Sequence, residues 1–430
     1  MGTKFGATVV LLCAFVGENA FAQVAETTDV LTTTRTPPVE APAGFDNETN
    51  GFVDAATHAA DLAVFDEAEE IDEGLGPLYN AQGCRECHQS PISGAASQIT
   101  ELRVGHVNRF GRFVNPDIPL NNGSEVVFAR SLVNDRAICP SAAFPNVHVQ
   151  QRVPRGENVR TERLSLSTLG DGFIEAIASR TIQQIASDQC RRSRGGICGE
   201  VLIVPVLEAG GRARVARFGW KGQHASLLSF SADAYLNEMG ITSTLLPDDV
   251  TKLCDTVAYP EYSVGADVLA DVDRFARYIR ATKAPARDPV ASTSPDSVAG
   301  ETLFSQVGCA TCHVGSIVTA PAGSVVNAGA FTVPDALGNK RIHPYSDFLM
   351  HDVGTGDGIV QNGPPSTARK VRTPPLWGLR MRSRLMHDGQ TVTLDDAVLR
   401  HRGEASSVSD SYSRLRPQER LQIAAFLSSL

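Results

Sequence analysis

Two short runs of this sequence place thiols and an imidazole at a spacing that can bind a metal cofactor. Each run has the form Cys-x-x-Cys-His, and the two copies lie far apart in a chain of 430 residues. Two thiols at this spacing can form thioether bonds to the vinyl groups of one haem, and the imidazole that follows can ligate its iron. The runs therefore predict two covalently bound haem c groups. The attachment cysteines are Cys84, Cys87, Cys309 and Cys312, and the proximal iron ligands are His88 and His313.

A Cys-x-x-Cys pair also occurs in zinc sites and in redox-active dithiols. A zinc site would require a second pair of ligands nearby, and none follows either run. A redox dithiol gives no reason for a histidine directly after the second cysteine. The full run, present twice, therefore favours haem attachment.

The first 22 residues have the parts of a secretory signal peptide. Lys4 supplies the positive charge, residues 7–16 are apolar, and residues 20–22 read Ala-Phe-Ala, a cleavage site. The apolar stretch is too short to span a bilayer, and no later stretch is apolar enough to do so. We expect cleavage after Ala22 and, because the haems are covalently attached, a bacterial periplasmic protein without a membrane span.

Four cysteines remain outside the two runs and the signal peptide: Cys139, Cys190, Cys198 and Cys254. An even number of cysteines in an oxidising compartment predicts two disulfides. Cys190 and Cys198 close a short loop, so we expect them to pair, which leaves Cys139 for Cys254. Three connectivities are possible from the sequence.

The composition is that of a globular protein with an acidic surface. Hydrophobic residues make up 42% of the chain and the formal net charge is −9, to which haem propionates would add. This charge argues against nucleic acid or an anionic membrane as a partner and fits docking to a basic electron-transfer protein.

The pattern of apolar residues predicts helices that position both runs. They cover residues 55–71, 171–187, 225–236, 267–283 and 298–307, and a last helix has Pro417 in its first turn. Residues 201–218 predict a β-hairpin. We expect a mainly α fold with two cytochrome c-like haem domains, the first carrying an insertion that contains the hairpin. The predicted divisions are a signal peptide at 1–22, a flexible tether at 23–50, haem domains at 51–285 and 297–430, and a linker at 286–296.

Further motifs surround the two runs. They lie at 74–90, 170–177, 217–243, 346–354 (SDFLMHDVG), 372–379 (RTPPLWGL) and 386–405. Together they resemble the di-haem oxidoreductase family, a branch of the bacterial di-haem cytochrome c peroxidase and MauG superfamily. The resemblance implies an exported, mostly helical protein with one haem in each domain.

The resemblance also implies different roles for the two haems. The haem held by His313 would take electrons from a redox partner, such as a small cytochrome or a cupredoxin, and the haem held by His88 would be the reactive site. His401 occupies the position of the second iron ligand of the His313 haem. For the His88 haem, His106 is the candidate distal ligand and His224 is its rival; either could instead be an ordinary hydrogen-bonded histidine.

The sequence departs from the peroxidases at the residues that move protons. The peroxidases carry a Gln and a Glu in the distal pocket. At the matching positions this chain has Arg217 and either Leu228 or Ser229. Glu175, on a neighbouring helix, is then the candidate catalytic carboxylate, although helix surfaces commonly carry Glu.

Two classes of function follow. The first is an enzyme, a di-haem oxidoreductase that uses peroxide or performs a MauG-like oxidation. The second is a non-catalytic dihaem electron-transfer cytochrome in which both irons are six-coordinate; a haem-based sensor would need an output domain, and none is visible. The sixth position of the His88 haem separates these classes.

Trp220 and Trp377 lie in matched stretches, where they could relay electrons or pack between domains.

Overall fold

The computed structural model describes residues 26–33, 36–123, 125–140, 148–254 and 269–430. Of these residues 32% are helical and 17% lie in strands. The prediction of a mainly α fold is therefore wrong, because several small sheets lie between the helices. The predicted signal peptide at 1–22 lies outside the described residues. No helix in the described ranges is long and apolar enough to cross a membrane.

The described residues contain ten α-helices. A π-helical turn, Tyr235–Met239, directly continues the fifth of them. The helices are α1 (Ala55–Asp66), α2 (Cys84–Cys87), α3 (Asp171–Glu175), α4 (Ser179–Arg192), α5 (Leu227–Ala234), α6 (Asp271–Ala281), α7 (Pro295–Val307), α8 (Leu394–Leu399), α9 (Ser406–Ser413) and α10 (Pro417–Leu427).

The described strands are short and form seven sheets, the largest of which has four strands in which β3 pairs with β4, β7 and β9. All strands of this sheet run antiparallel to β3. The strands are β1 (Val39–Glu40), β2 (Leu78–Tyr79), β3 (Thr100–Val107), β4 (Phe113–Val114), β5 (Ile118–Pro119), β6 (Val126–Val127), β7 (Leu132–Val133), β8 (Arg136–Ala137), β9 (Val159–Leu164), β10 (Ile203–Pro205), β11 (Ala213–Val215), β12 (Ile317–Val318), β13 (Val325–Val326), β14 (Phe331–Thr332), β15 (Lys340–Ile342), β16 (Met350–His351) and β17 (Val371–Arg372).

Amphipathic helices surround the first Cys-x-x-Cys-His run. In α6, Val272, Phe275 and Ile279 recur at the spacing of one helix face, and all three are buried. They pack in one core with Phe65 of α1 and Tyr235 after α5. This packing confirms the inward face predicted for the helix at 267–283, of which residues 267 and 268 lie outside the described residues.

A second core surrounds the other run. Helix α7, which leads into it, packs against the C-terminal helix α10, and the rings of Phe304 and Phe426 lie 5.2 Å apart. Tyr412 of α9 and Ile423 of α10 complete this core. The helix predicted from Pro417 is confirmed, with the proline in its first turn, where its missing N–H costs no hydrogen bond.

The sheet around β3 explains why the fold class was wrong. Strands are recognised by alternating polar and apolar residues, but here arginines occupy buried positions. Arg103 of β3 is paired with Glu101, and Arg163 of β9 is paired with Asp357. Burial of an arginine requires such a partner. Glu101 lies in the same strand as Arg103, but Asp357 is distant in the sequence and meets Arg163 only in the folded chain.

The segment predicted as a flexible tether lies along the protein from residue 26 onward. Strand β1 pairs in parallel with β15, and Asn50 donates hydrogen bonds to the carbonyls of Arg280 and Thr282. Asp29 forms an ion pair with the fully buried Arg214 at 3.2 Å. The segment is therefore held to the protein by polar contacts, which its low content of large apolar residues did not indicate.

Three further predictions are confirmed. Strands β10 and β11 form the antiparallel hairpin. Disulfides join Cys190 to Cys198 and Cys139 to Cys254. The helix predicted at 171–187 is present but is divided into α3 and α4, because residue 178 is extended and the N–H of Ser179 bonds to Asp29 at 2.7 Å.

Candidate haem-binding sites

The second run, here called the Cys309 site (Cys309, Cys312 and His313), begins where α7 ends. Gly308 has φ of +107°, a conformation that residues with a Cβ rarely adopt, and it turns the chain into the run. The two thiols and His313 line one cavity. Apolar side chains form most of the rest of its wall, among them Phe304, Leu376, Leu379, Leu385, Val398 and Leu427.

Two histidines face each other in the cavity of the Cys309 site. Nδ1 of His313 lies 2.9 Å from the carbonyl oxygen of Tyr345, and Nδ1 of His401 lies 2.8 Å from that of Ala397. These bonds fix both rings and leave each Nε2 available. Burial and the nearby His401 lower the pKa of His313 to about 4, and burial lowers the pKa of His401. Both imidazoles are therefore neutral and can act as ligands.

The distance between these rings fits one iron between them. The ring centroids are 6.5 Å apart. Metal–nitrogen bonds of about 2 Å on each side place two imidazole centroids roughly 6 Å apart. The Cys309 site thus has the thiols, the apolar wall and the pair of ring nitrogens that a six-coordinate haem c requires.

The first run, here called the Cys84 site (Cys84, Cys87 and His88), follows α1. A Cβ on Gly83 would lie 2.0 Å from the carbonyl oxygen of Glu67, so only glycine allows the chain to pass close to the end of α1 and start α2. Burial raises the pKa of both thiols. This apolar setting suits thiols that become thioethers.

Two adjoining cavities meet at Cys87 and His88. The first, here called the apolar cavity, is lined by Cys84 and by side chains of the surrounding core, including Phe65, Phe230, Tyr235, Met239 and Phe275. The second, here called the charged cavity, is lined by Glu101, Arg103, Asp171, Trp220, Glu238 and Arg372 among others. A flat cofactor bound by the run would therefore have an apolar and a charged neighbourhood.

His88 itself has the properties of an iron ligand. Burial lowers its pKa to about 4, which keeps the ring neutral. The carbonyls of Ala95 and Leu166 lie beside the ring, but its Nδ1 is buried without a well-formed hydrogen bond. None of the other nine histidines, all of which the structure describes, lines either cavity of this site.

The structure does not bring the two candidate distal ligands to the Cys84 site. His106 lies on β3, where its Nδ1 is 2.9 Å from Glu157 and its side chain is 35% exposed. His224 pairs with Asp233 at 3.1 Å. Asp233 lines the charged cavity, but neither histidine does. Each is instead an ordinary hydrogen-bonded histidine, which was the alternative considered from the sequence.

Glu175 is placed in the core and not in either cavity of the Cys84 site. Its carboxylate accepts two hydrogen bonds from Arg280, at 2.7 and 3.0 Å, and one each from the N–H of Leu227 and the side chain of Asn327, both at 2.8 Å. Burial disfavours its charge, but these partners outweigh burial and hold the pKa of Glu175 below its ordinary value. With every oxygen occupied, this residue holds helices together and is not positioned as the catalytic carboxylate.

Other carboxyl groups, which the sequence did not single out, do line the charged cavity. Burial and the adjacent Glu101 raise the pKa of Glu238 to about 8. Burial also raises the pKa of Asp171 to about 8, although the charge of Arg372 opposes this rise. These residues come from β3, α3, the π-helical turn and β17, so no local spacing in the sequence could have connected them.

Two side chains lie at the boundary between the two sites. Trp220 and Arg372 each line both the charged cavity and the cavity of the Cys309 site. The indole N–H of Trp220 donates to the carbonyl of Leu164 at 2.7 Å, and its ring lies 6.0 Å from that of His387. Trp377 is instead buried in the core.

A buried cluster lies beside Cys312. Sγ of Cys312, a carboxylate oxygen of Asp347 and a ring nitrogen of His351 are within 4.8 Å of one another, a geometry that could hold a metal ion. However, both ring nitrogens of His351 are bonded to carboxylates, Asp347 at 2.9 Å and Glu404 at 3.0 Å. These carboxylates outweigh burial and raise the pKa of His351 to about 12. A protonated imidazole has no lone pair for a metal.

Comparisons with known proteins identify one family and two solved structures to which this chain is similar. The family described as "Di-haem oxidoreductase, putative peroxidase" matches residues 145–430. Among solved structures, a hydrazine synthase chain of Kuenenia stuttgartiensis is 21% identical with a TM-score of 0.25; the match covers 37% of this chain and only 55% of that one. The diheme peroxidase BthA of Burkholderia thailandensis is 13% identical with a TM-score of 0.32 and 94% coverage of both chains. Comparison with curated proteins gave no match.

Proposed function

The chain belongs to the di-haem oxidoreductase family, and we propose that it is an exported peroxidase-like enzyme with two covalently attached haem c groups. In this proposal Cys84 and Cys87 attach one haem and His88 ligates it. Cys309 and Cys312 attach the other, between His313 and His401. The Cys309 site relays electrons, and the Cys84 site is where the substrate reacts.

The difference between the two sites is the observation that carries this proposal. The cavity of the Cys309 site contains two neutral histidines whose rings are 6.5 Å apart, which supports a six-coordinate iron suited to electron transfer. The cavities of the Cys84 site contain one histidine, His88, and a wall of charged groups. A haem held there by His88 as its single histidine ligand would keep a coordination position free for a substrate, next to charged groups that could hold protons.

The protein's own residues would divide the work of a two-electron reduction. When bound, the haems supply the redox chemistry, in which hydrogen peroxide takes two electrons and two protons and leaves as two waters. Trp220, which lines both sites, provides an aromatic contact between them. The carboxyl groups of Asp171 and Glu238 remain protonated near neutral pH because their pKa values are raised to about 8, so they can hold protons for the reaction.

The electrons would come from a small redox protein, a cytochrome or a cupredoxin, in the bacterial periplasm. Export by the signal peptide at 1–22 places the enzyme in the compartment where such donors and covalent haem occur. The net charge of −9 favours docking of a donor with a basic surface.

A second candidate function is a non-catalytic electron-transfer cytochrome. Met239 lines the apolar cavity together with Cys84 and His88, and a thioether is a known axial ligand of haem c. If Met239 occupied the sixth position, both irons would be six-coordinate and neither would bind peroxide. Met239 also packs against the core around α6, which is sufficient to explain its burial.

An optical and EPR titration separates the two candidates. Wild-type protein and the variant Met239→Leu are taken from the oxidised to the half-reduced state and then mixed with hydrogen peroxide. We expect a high-spin signal from one haem in both proteins, followed by reaction with peroxide. Two low-spin irons in the wild type, with a high-spin iron only in Met239→Leu, would refute the enzyme and establish the carrier.

A further inference from the structure

One buried acidic side chain in the charged cavity has no hydrogen-bond partner among the described residues. Asp171, the first residue of α3, is only 7% exposed and lines the cavity together with His88. Among the described residues no donor reaches its carboxyl oxygens. The other buried acids differ: Glu238 is bonded to Asn80 at 2.7 Å, and Glu175 is surrounded by four donors. A buried carboxyl without partners is costly unless the cavity supplies one.

Burial, and not the charges around Asp171, favours the protonated form of this carboxyl group. Arg372, on β17, attracts the carboxylate, whereas Glu175, one turn along α3, repels it; the charge of Glu175 is itself matched by Arg280. Burial is the largest influence and raises the pKa of Asp171 to about 8. The other charged groups in the cavity wall are Glu101, Arg103, Asp135, Arg136, Glu162, Arg163, Arg217, Asp233 and Glu238.

We propose that Asp171 is the residue that transfers a proton to the molecule bound at the open side of the His88 haem. This inference rests on the proposed function. With peroxide as the bound molecule, the O–O bond breaks and the neutral acid gives its proton to the departing oxygen, which leaves as water. The donor protein supplies both electrons through the Cys309 site, solvent supplies the second proton, and Asp171 regains its own proton from solvent.

The test compares two Asp-to-Asn changes in the haem-loaded protein. Asp171→Asn keeps the shape of the side chain but cannot release a proton. Asp135→Asn is the matched control, because Asp135 also lines the charged cavity but is exposed, with 77% of its side chain accessible. Two quantities are measured: the rate constant for reaction with hydrogen peroxide, and the reduction potential of the His88 haem from pH 5 to pH 10 by spectroelectrochemistry.

A carboxyl that loses its proton more readily when the iron is oxidised makes the potential fall as pH rises through its pKa. We therefore expect this fall near pH 8 in the wild type and in Asp135→Asn, and a clearly smaller fall in Asp171→Asn, in which Glu238 still titrates near pH 8. We also expect Asp171→Asn to react with peroxide at least about 100-fold more slowly. If Asp171→Asn does not fold, Asp171→Glu should move the pH at which the potential changes.

The inference is overturned if Asp171→Asn behaves like Asp135→Asn in both measurements. A wild type that never reacts with peroxide would refute the proposed function separately. In that case the pH dependence of the reduction potential would still show whether Asp171 gains or loses a proton when the haem is reduced or oxidised.

Discussion

The strongest test of the fold around the Cys84 site is removal of the charge of Glu175. This carboxylate is fully buried and receives four hydrogen bonds. Arg280 has no other carboxylate partner among the described residues, and its guanidinium otherwise stacks on the ring of Phe331 at 4.6 Å. Glu175→Gln would leave that guanidinium buried without its counter-charge. Breaking a buried pair in this way typically costs about 3 to 5 kcal/mol.

Guanidinium denaturation of the haem-loaded protein, followed by circular dichroism, measures this loss. The matched control is Glu200→Gln, which breaks the partly exposed pair of Glu200 with Lys370 at 2.9 Å and should cost less, about 1 kcal/mol, because both side chains reach solvent. We expect Glu175→Gln to retain the peroxide reactivity of the wild type in its folded fraction, because the carboxylate does not line the cavity.

Two results would contradict this reasoning. A loss of stability no larger than that of Glu200→Gln would mean that the buried network is not needed for the fold. Normal stability together with lost peroxide reactivity would restore Glu175 as a catalytic residue.

Three further predictions follow from the geometry. His401→Ala should convert the Cys309 site to a high-spin iron in optical and EPR spectra, whereas His106→Ala should leave both spectra unchanged; the reverse would refute the ligand assignment. Burial and nearby acids raise the pKa of Glu69 from 4.5 to about 7, so between these pH values the folded protein binds more protons than the unfolded chain. The stability of the wild type relative to Glu69→Gln should therefore fall as the pH rises through this window. A difference in denaturation midpoints that stays constant with pH would contradict this prediction. Cys139→Ser removes a disulfide that closes a loop with a sequence separation of 115, and Cys190→Ser removes one with a separation of 8. Chain entropy therefore predicts that the free energy of unfolding falls by about 5 and about 2.5 kcal/mol, respectively, in denaturation experiments. Equal losses would contradict this account.

Predictions that depended on neighbouring residues agree with the structure. The face of α6 and the start of α10 each reflect a pattern within one helix, and the hairpin of β10 and β11 reflects two adjacent strands. The pairing of Cys190 with Cys198 follows from the short loop between them. In each case the interacting groups are close in the chain, so their spacing restricts the geometry.

Predictions that required distant residues had mixed outcomes: the pairing of Cys139 with Cys254 is confirmed, but others failed. The fold class was wrong because the buried arginines in β3 and β9 hide the alternation of a strand, and Asp357, the partner of Arg163, is far away in the sequence. His106 and Glu175 were placed at the Cys84 site by position in the chain, yet each has its own hydrogen-bond partners elsewhere. Asp171 was not considered, since nothing in its sequence neighbourhood distinguishes it from a first-turn acid at a helix start.

The sequence by itself determined the chemistry that contiguous residues can perform: two thiols and an imidazole within five positions, present twice. That capability is set by covalent spacing and does not depend on the rest of the fold. The family resemblance had already indicated His401 for the second run, and the structure places it opposite His313. Only the tertiary structure decided what surrounds the first run: it left His88 without a second histidine and put Trp220 on the wall of both sites. These contacts join residues far apart in the chain, and burial, which only the packed structure creates, gives the carboxyl groups and imidazoles the protonation states that the proposed chemistry requires.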